Sequence, residues 1–175
     1  ESVFGDEFIV SYGDIMYETS VLERLLDDKH AVSVVIDKGW RTYWEQRFEN
    51  VLDDAETLQV DETGRITSIG QKPESLEYIN GQYIGLMAFR GEGVRALRSV
   101  YSQAKQEAAE GRNPLRGQRS MHNLFMTDIL QGIIDSGFPV HQVPIHRGWV
   151  EIDTFRDLKV AEKLIKNDSC IFTIK

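Results

Sequence analysis

The 175-residue sequence has one cysteine, Cys170. A single thiol can form neither a disulfide within the chain nor a thiolate metal cluster. Such sparing use of cysteine fits a reducing compartment, so a cytoplasmic setting is expected. No apolar run approaches the length of a membrane span, and the opening residues show no secretory signal pattern. Positive charge is also short: 20 Lys and Arg stand against 28 Asp and Glu, for a net charge of −8. This argues against a nucleic-acid binder that relies on a basic surface. A small anionic ligand stays compatible if a metal or a few cations offset the charge. The four histidines, His30, His122, His141 and His146, have no metal-ligand spacing. There is no internal repeat and no low-complexity segment.

What the sequence does have is alternation. "EFIVSYGD" (7–14) reads as a short buried strand. "ETSVLERLLDDK" (18–29) reads as an amphipathic helix capped by Thr19 or Ser20. "HAVSVVID" (30–37) is a second buried strand, and "GWRTYWEQRF" (39–48) a short helix with aromatics at helical spacing. "ETLQVDETGRITSIGQ" (56–71) is a hairpin turning at "DETG". A strand at 81–90 and a long helix at 91–111 follow, then a polar, basic loop over 112–122. A helix is expected over 122–137, with Gly137 just past its end. Strands within 139–153 include Pro144, which marks a break or an edge. The last helix, 154–167, starts at Thr154 with Asp157 three residues on, an acidic form of the capping box. The tail "NDSCIFTIK" reads as a small extra strand or a partly ordered end. Alternating elements with one inserted hairpin predict a single α/β domain with a mostly parallel, Rossmann-like sheet flanked by helices. In such sheets ligands bind beyond the carboxyl ends of the strands.

Two acids sit at predicted strand ends. Asp14 closes "YGD" and Asp153 closes "EID". Two carboxylates that meet there repel each other unless a cation lies between them. Mg²⁺ suits such a pair, completing its shell with phosphate oxygens. A strand-end Asp is also often a turn former or a helix cap. Thr154 can cap the last helix, which leaves Asp153 free for another role.

"IVSYGDIMYETSVLERLL", "VIDKGWRTYWEQRFEN", "DDAETLQVDETGRITSIGQK", "INGQYIGLMAF", "MTDILQGII" and "GWVEIDTFRDLKVAEKL" together resemble the sugar-nucleotide pyrophosphorylase-type nucleotidyltransferases. The resemblance is strongest to choline-phosphate and aminoethylphosphonate cytidylyltransferase-like bacterial enzymes. It runs from about residue 6 to about residue 166. Any one motif is short, but the six occur in order. The glycine-rich phosphate loop of that family, of the form G-x-G-x-R, is absent here. The expectation is therefore the C-terminal portion of a single nucleotide-diphospho-sugar transferase-like domain, a poor catalyst by itself.

The resemblance implies transfer of a nucleoside monophosphate, CMP from CTP favoured, to phosphocholine, aminoethylphosphonate or a related small phosphorylated acceptor, with release of pyrophosphate. A sugar-1-phosphate acceptor, or a non-catalytic regulatory subunit, are the alternatives. It implies that Asp14 and Asp153 hold Mg²⁺. Lys38 and Lys72 are candidates for phosphate contacts, although each also reads as an ordinary loop lysine. Glu151 is a candidate for the acceptor's cationic group or for support behind the metal. Glu56 is a weaker candidate, since a hairpin context favours plain exposure. Asp128 reads as a satisfied structural acid. A quaternary ammonium binds well over aromatic faces, so Trp40, Tyr83 and Trp149 are candidate acceptor contacts, whereas Trp44 and Phe48 are expected in the core. The arginines of the basic loop, Arg112, Arg116 and Arg119, either fold over phosphates or stay solvated.

Overall fold

The computed structural model describes residues 5–117 and 119–166. A four-stranded sheet in the order β1-β6-β3-β7 forms the centre. Its strands are β1 (Glu7–Ser11), β3 (Val32–Asp37), β6 (Gln82–Arg90) and β7 (His141–Ile145). β3 is buried at every position because both of its faces are covered. Val35 joins one core, with Ile84, Leu86, Val143 and Ile145. Val34 and Ile36 join the other, with Met87 and Phe89. This is period-2 alternation expressed on a strand covered on both sides. Each such fully buried side chain contributes about 1.5–3 kcal/mol.

The first core is closed by α1 (Thr19–Asp27), α2 (Trp40–Arg47), α5 (Phe155–Lys166) and the small antiparallel pair β2 (Ile15–Tyr17) and β8 (Trp149–Glu151). The second is closed by α3 (Glu92–Ala109), α4 (Met126–Asp135) and the hairpin β4 (Leu58–Val60) and β5 (Ile66–Ile69). The α/β class and the inserted hairpin therefore stand. The parallel character expected of most of the sheet is confined to β3–β7. β6 runs antiparallel to both β1 and β3.

Several local expectations hold. Pro144 lies in β7, the sheet's outer strand, where a missing N–H costs no ladder bond. Thr154 and Asp157 form the reciprocal cap of α5, with Thr154 N–H to Asp157 Oδ2 at 2.9 Å and Asp157 N–H to Thr154 Oγ1 at 3.2 Å. Others shift. β1 stops at Ser11 and is only half-buried, because the described residues pair it with β6 on one side alone. The first position before α1 is Glu18, and no side chain caps that helix. α4 begins at Met126, after a 3₁₀ turn at Met121–Asn123, because Asp128 accepts the Phe125 N–H and sets the start there. The tail 167–175, with its expected strand, lies outside the described residues.

Candidate active site at the strand ends

β1, β3 and β7 end, and β6 begins, on the same side of the sheet, as the pairings Ser11–Leu86, Asp37–Gln82 and Asp37–Ile145 require. A cleft of about 230 Å³ opens there. Its walls carry four aromatic rings, Tyr12, Trp44, Tyr83 and Phe125. Between them stand four acids, Asp54, Glu56, Glu151 and Asp153, with Gln82 and Thr127. No Lys or Arg is among these lining residues.

A bulge in β6 aims the two tyrosines. Between the pairs Val34–Met87 and Ile36–Tyr83, β3 advances by two residues and β6 by four. Gly85 takes up the excess with a φ of 81°, a left-handed conformation that glycine adopts without a Cβ penalty. Its carbonyl accepts the Tyr12 N–H at 2.9 Å. A Cβ on Gly85 would lie 2.6 Å from Cγ of the Tyr12 ring. The rings of Tyr12 and Tyr83 then meet edge to face, centroids 5.7 Å apart. Burial raises the pKa of both hydroxyls, which stay protonated. Bulges commonly re-aim side chains beside a site in this way.

Glu56 is not the exposed hairpin residue expected. It is half-buried in the cleft, tied to Gln82 through its own backbone: its N–H donates to Gln82 Oε1 at 3.2 Å, and Gln82 Nε2 donates to its carbonyl at 2.8 Å. Burial pushes its carboxyl up to about 7, against the pull of Arg119. Burial also raises Asp54. Arg119 near Glu56, and Arg47 and Lys72 near Asp54, offset part of this charge from outside the lining, and a ligand that brings its own positive charge would offset more.

The most densely paired group is Arg47. α2 places Trp40, Tyr43, Trp44 and Arg47 at helical spacing, all buried. An arginine on that stripe must find acids inside the protein. Arg47 donates through Nη1 to Glu151 at 2.5 Å, through Nη2 to Asp153 at 2.8 Å and through Nε to Asp157 at 2.9 Å. Burial works against its charge, but the bonds from Asp157 and Glu151 outweigh it and raise its pKa. Burial raises Glu151, opposed by Arg47.

The backbones of Asp14 and Asp153 run close together beyond the β2–β8 pair. Ile152 N–H donates to the Asp14 carbonyl at 2.9 Å, extending the β2–β8 pairing to their doorstep. Both residues are exposed. Asp153 spends one oxygen, Oδ2, on Arg47, and no described residue bonds the Asp14 carboxylate. Two outward carboxylates with unshared oxygens fit a hard divalent cation, which takes one or two protein carboxylates and fills its other positions with water and phosphate. Among the described residues no group of three or more His, Cys, Asp or Glu could form a protein-only cage.

Other expected contacts lie elsewhere. Trp149 is fully buried, its Nε1 donating to Asp37 Oδ2 at 2.9 Å, so it is core rather than cleft. Trp40 is buried against Trp44 and is not a lining residue. Lys38 Nζ donates to the Asn80 carbonyl at 3.0 Å, and Lys72 Nζ to the carbonyls of Leu52 and Asp53. Backbone carbonyls hold both ammonium groups and neither lysine lines the cleft, although Lys72 stands near enough to the lining Asp54 to pull against its raised pKa. Trp44 is core on most of its surface and cleft wall on the rest, and Phe48 packs against the core under Arg47. Arg112, Arg116 and Arg119 do not form a phosphate clamp; each pairs with an acid, Glu110, Asp135 and Asp128 respectively. Asp128 is the satisfied structural acid expected, bonded to Arg119 and the Phe125 N–H.

The chain matches no protein-family model. It is 33% identical over 154 residues to the CTP:phosphoglutamine cytidylyltransferase of Campylobacter jejuni subsp. jejuni, a match covering 88% of this chain and 58% of the relative. The chain thus spans somewhat over half the length of that protein. Among solved structures, the inositol-1-phosphate CTP transferase from T. maritima superposes with a TM-score of 0.61 at 21% identity, over 98% of this chain and 60% of that one. A Bacillus anthracis structure titled a glucose-1-phosphate thymidylyltransferase, in complex with a sucrose, gives 0.58 at 17% identity, over 93% and 55%. These superpositions establish the nucleotide-diphospho-sugar transferase fold. No helix of the described residues is long and apolar enough to cross a membrane.

Proposed function

We propose that the chain, which is similar to nucleotidyltransferases in sequence and in fold, supplies the acceptor side of a cytidylyltransferase. The acceptor is a small phosphate or phosphonate ester that also carries an ammonium group. The observation that carries this reading is the cleft's lining: four aromatic rings and four acids, of which Glu151 and Asp153 are paired with Arg47 from behind while Asp54 and Glu56 have no ion-pair partner among the described residues. An anionic phosphate would be repelled there, whereas an ammonium is held by the carboxylates and by the ring faces. The acceptor's phosphate then points outward, toward Asp14 and Asp153. Phosphocholine and aminoethylphosphonate share this layout; phosphoglutamine, named for the Campylobacter relative, also carries an ammonium but with an α-carboxylate beside it. A sugar phosphate has no ammonium to offer.

In this reading the acceptor's phosphate oxygen attacks the α-phosphorus of CTP, the new P–O bond forms, and pyrophosphate departs. The nucleophile is already anionic, so the work is alignment and charge neutralisation. Tyr12, Tyr83 and Trp44 fix the cationic end. Glu56 and Asp54 balance its charge. Asp14 and Asp153 would hold a divalent cation, Mg²⁺, which when bound neutralises phosphate charge.

The test is pyrophosphate release by the protein containing this chain. CTP, UTP, dTTP and ATP are crossed with phosphocholine, aminoethylphosphonate, phosphoglutamine and glucose 1-phosphate. Turnover with CTP and one of the ammonium-bearing acceptors is expected. Turnover with glucose 1-phosphate alone would replace this reading with a sugar-1-phosphate nucleotidylyltransferase. Binding of nucleotide without turnover would point to a regulatory subunit.

A further inference from the structure

Arg47 brings three acids from three places onto one planar group. Glu151 comes from β8, Asp153 from the turn after it, and Asp157 from the first turn of α5. The three are not equivalent. The Asp157 side chain is 6% exposed and is also held by Thr154, so it is structural. Glu151 is 22% exposed. Asp153 is 47% exposed, gives the guanidinium one oxygen, and has no other described partner.

The guanidinium itself is 1% exposed and lies within 5.4 Å of the ring centroids of Tyr43, Trp44 and Phe48. Packing therefore fixes the fork, and a fixed fork dictates where each bonded carboxylate sits. Without it, Asp153 stands on an exposed turn, free to rotate, next to two further acids that repel it.

We propose that Arg47 is a positioning residue. It grips Asp153 by Oδ2 and so presents the remaining oxygen beside Asp14, while cancelling part of the charge of Glu151 and Asp157 that would otherwise push Asp153 aside. Arg47 touches neither acceptor nor nucleotide. It acts through Asp153, and the inference rests on the reading of Asp14 and Asp153 as the cation-holding pair. Partners of metal ligands typically affect metal affinity by about 10–100-fold.

The experiment titrates Mn²⁺ into the full-length protein, followed by electron paramagnetic resonance, with thermal unfolding and steady-state kinetics alongside. Arg47→Lys keeps the charge and loses the fork; Asp157→Asn breaks a buried pair and leaves the Arg47–Asp153 bond in place. Both are expected to lower Tm. Arg47→Lys alone is expected to weaken Mn²⁺ binding by about tenfold or more and to lower kcat with little change in acceptor KM. Unchanged Mn²⁺ affinity in a folded Arg47→Lys protein would overturn the proposal, as would an equal fall in Asp157→Asn. If Arg47→Lys does not fold, the triple variant Arg47→Met, Glu151→Gln, Asp157→Leu exchanges the buried ions for neutral groups; retention of wild-type Mn²⁺ affinity there overturns the proposal equally. No Mn²⁺ binding by the wild type would instead sink the cation pair itself, and the role of Arg47 with it.

Discussion

The buried Asp37 carboxylate accepts from Arg147 twice, from its backbone N–H at 2.9 Å and from its guanidinium at 3.1 Å. The same carboxylate takes Gly39 N–H at 2.8 Å and Trp149 Nε1 at 2.9 Å. Arg147 holds a φ of 64°, a left-handed conformation unusual for a side-chain-bearing residue. Asp37 thus locks the loop before β8 onto the end of β3, and β8 carries Glu151 into the cleft. Asp37→Asn would leave the Arg147 charge uncompensated in a buried site. A loss of about 3–5 kcal/mol is expected, the usual cost of breaking a buried pair from one side. Urea denaturation checks it, and a loss under about 1 kcal/mol would show that the lock is not needed.

Glu56 titrates near 7, so its charge changes across the neutral range. On the proposed reading its carboxylate form would hold the acceptor's ammonium and its neutral form would not. Acceptor KM is therefore expected to fall as pH rises from 6 to 8, on the order of the tenfold ionisation change available there. Glu56→Gln is expected to abolish that step and raise KM at pH 8. Stability moves the other way. A carboxyl raised above its unfolded value contributes stability that is complete below about 4.5 and is lost as pH rises through about 7. Glu56→Gln should accordingly stabilise the protein at pH 8 and scarcely at all at pH 4.5, compared by urea midpoints.

Gly85→Ala tests the bulge. The substitution meets both a φ of 81° and the Tyr12 ring at 2.6 Å. A loss of about 1–3 kcal/mol is expected. Acceptor KM should rise as well, because Tyr12 must move. A destabilised variant with unchanged KM would separate the bulge from the cleft.

At the opposite end of the sheet, His30 and His141 stack with ring centroids 3.7 Å apart. Burial lowers the pKa of His141, with His30 and Arg65 adding to it and Asp28 and Asp61 opposing. The folded protein thus binds fewer protons there than the unfolded chain. This contribution to stability is whole above about 6.5 and falls as pH drops below it. His141→Gln is expected to remove that slope. The comparison is the difference between wild type and variant from pH 7 to 5, since Glu56 acts in the opposite direction over part of the range.

Most of the element order, the hairpin, the α5 cap and the edge position of Pro144 were legible in the sequence because each rests on local chemistry. So was the backbone proximity of Asp14 and Asp153, through the strand-end rule. The three-residue β2 was not, since it exists only through its pairing with the distant β8. Tyr83 and Glu151 also reach the cleft. The cleft's other acids were harder to see. Glu56 follows a loop whose burial depends on Gln82 and α4, both distant in sequence. Tryptophan count could not separate Trp149, which Asp37 ties into the core, from Trp44, which meets the cleft. Lys38 and Lys72 sit near the expected places but turn to carbonyls, as long flexible side chains do. Arg47 does carry a sequence signal: positions 40, 43, 44 and 47 share one buried helical stripe, and an arginine on such a stripe requires buried acids.

The central claim is that the acid-lined cleft selects an acceptor by its ammonium. It is tested most directly by measuring pyrophosphate release with CTP for the protein containing this chain, comparing aminoethylphosphonate and phosphoglutamine with their N-acetyl forms. Acetylation removes the charge and leaves the phosphate or phosphonate untouched. A fall in kcat/KM of about 10⁴-fold or more is expected for the acetylated forms of whichever acceptors turn over, the scale at which a site built for a polar group rejects an analogue lacking it. Equal kcat/KM for the two forms would contradict the account.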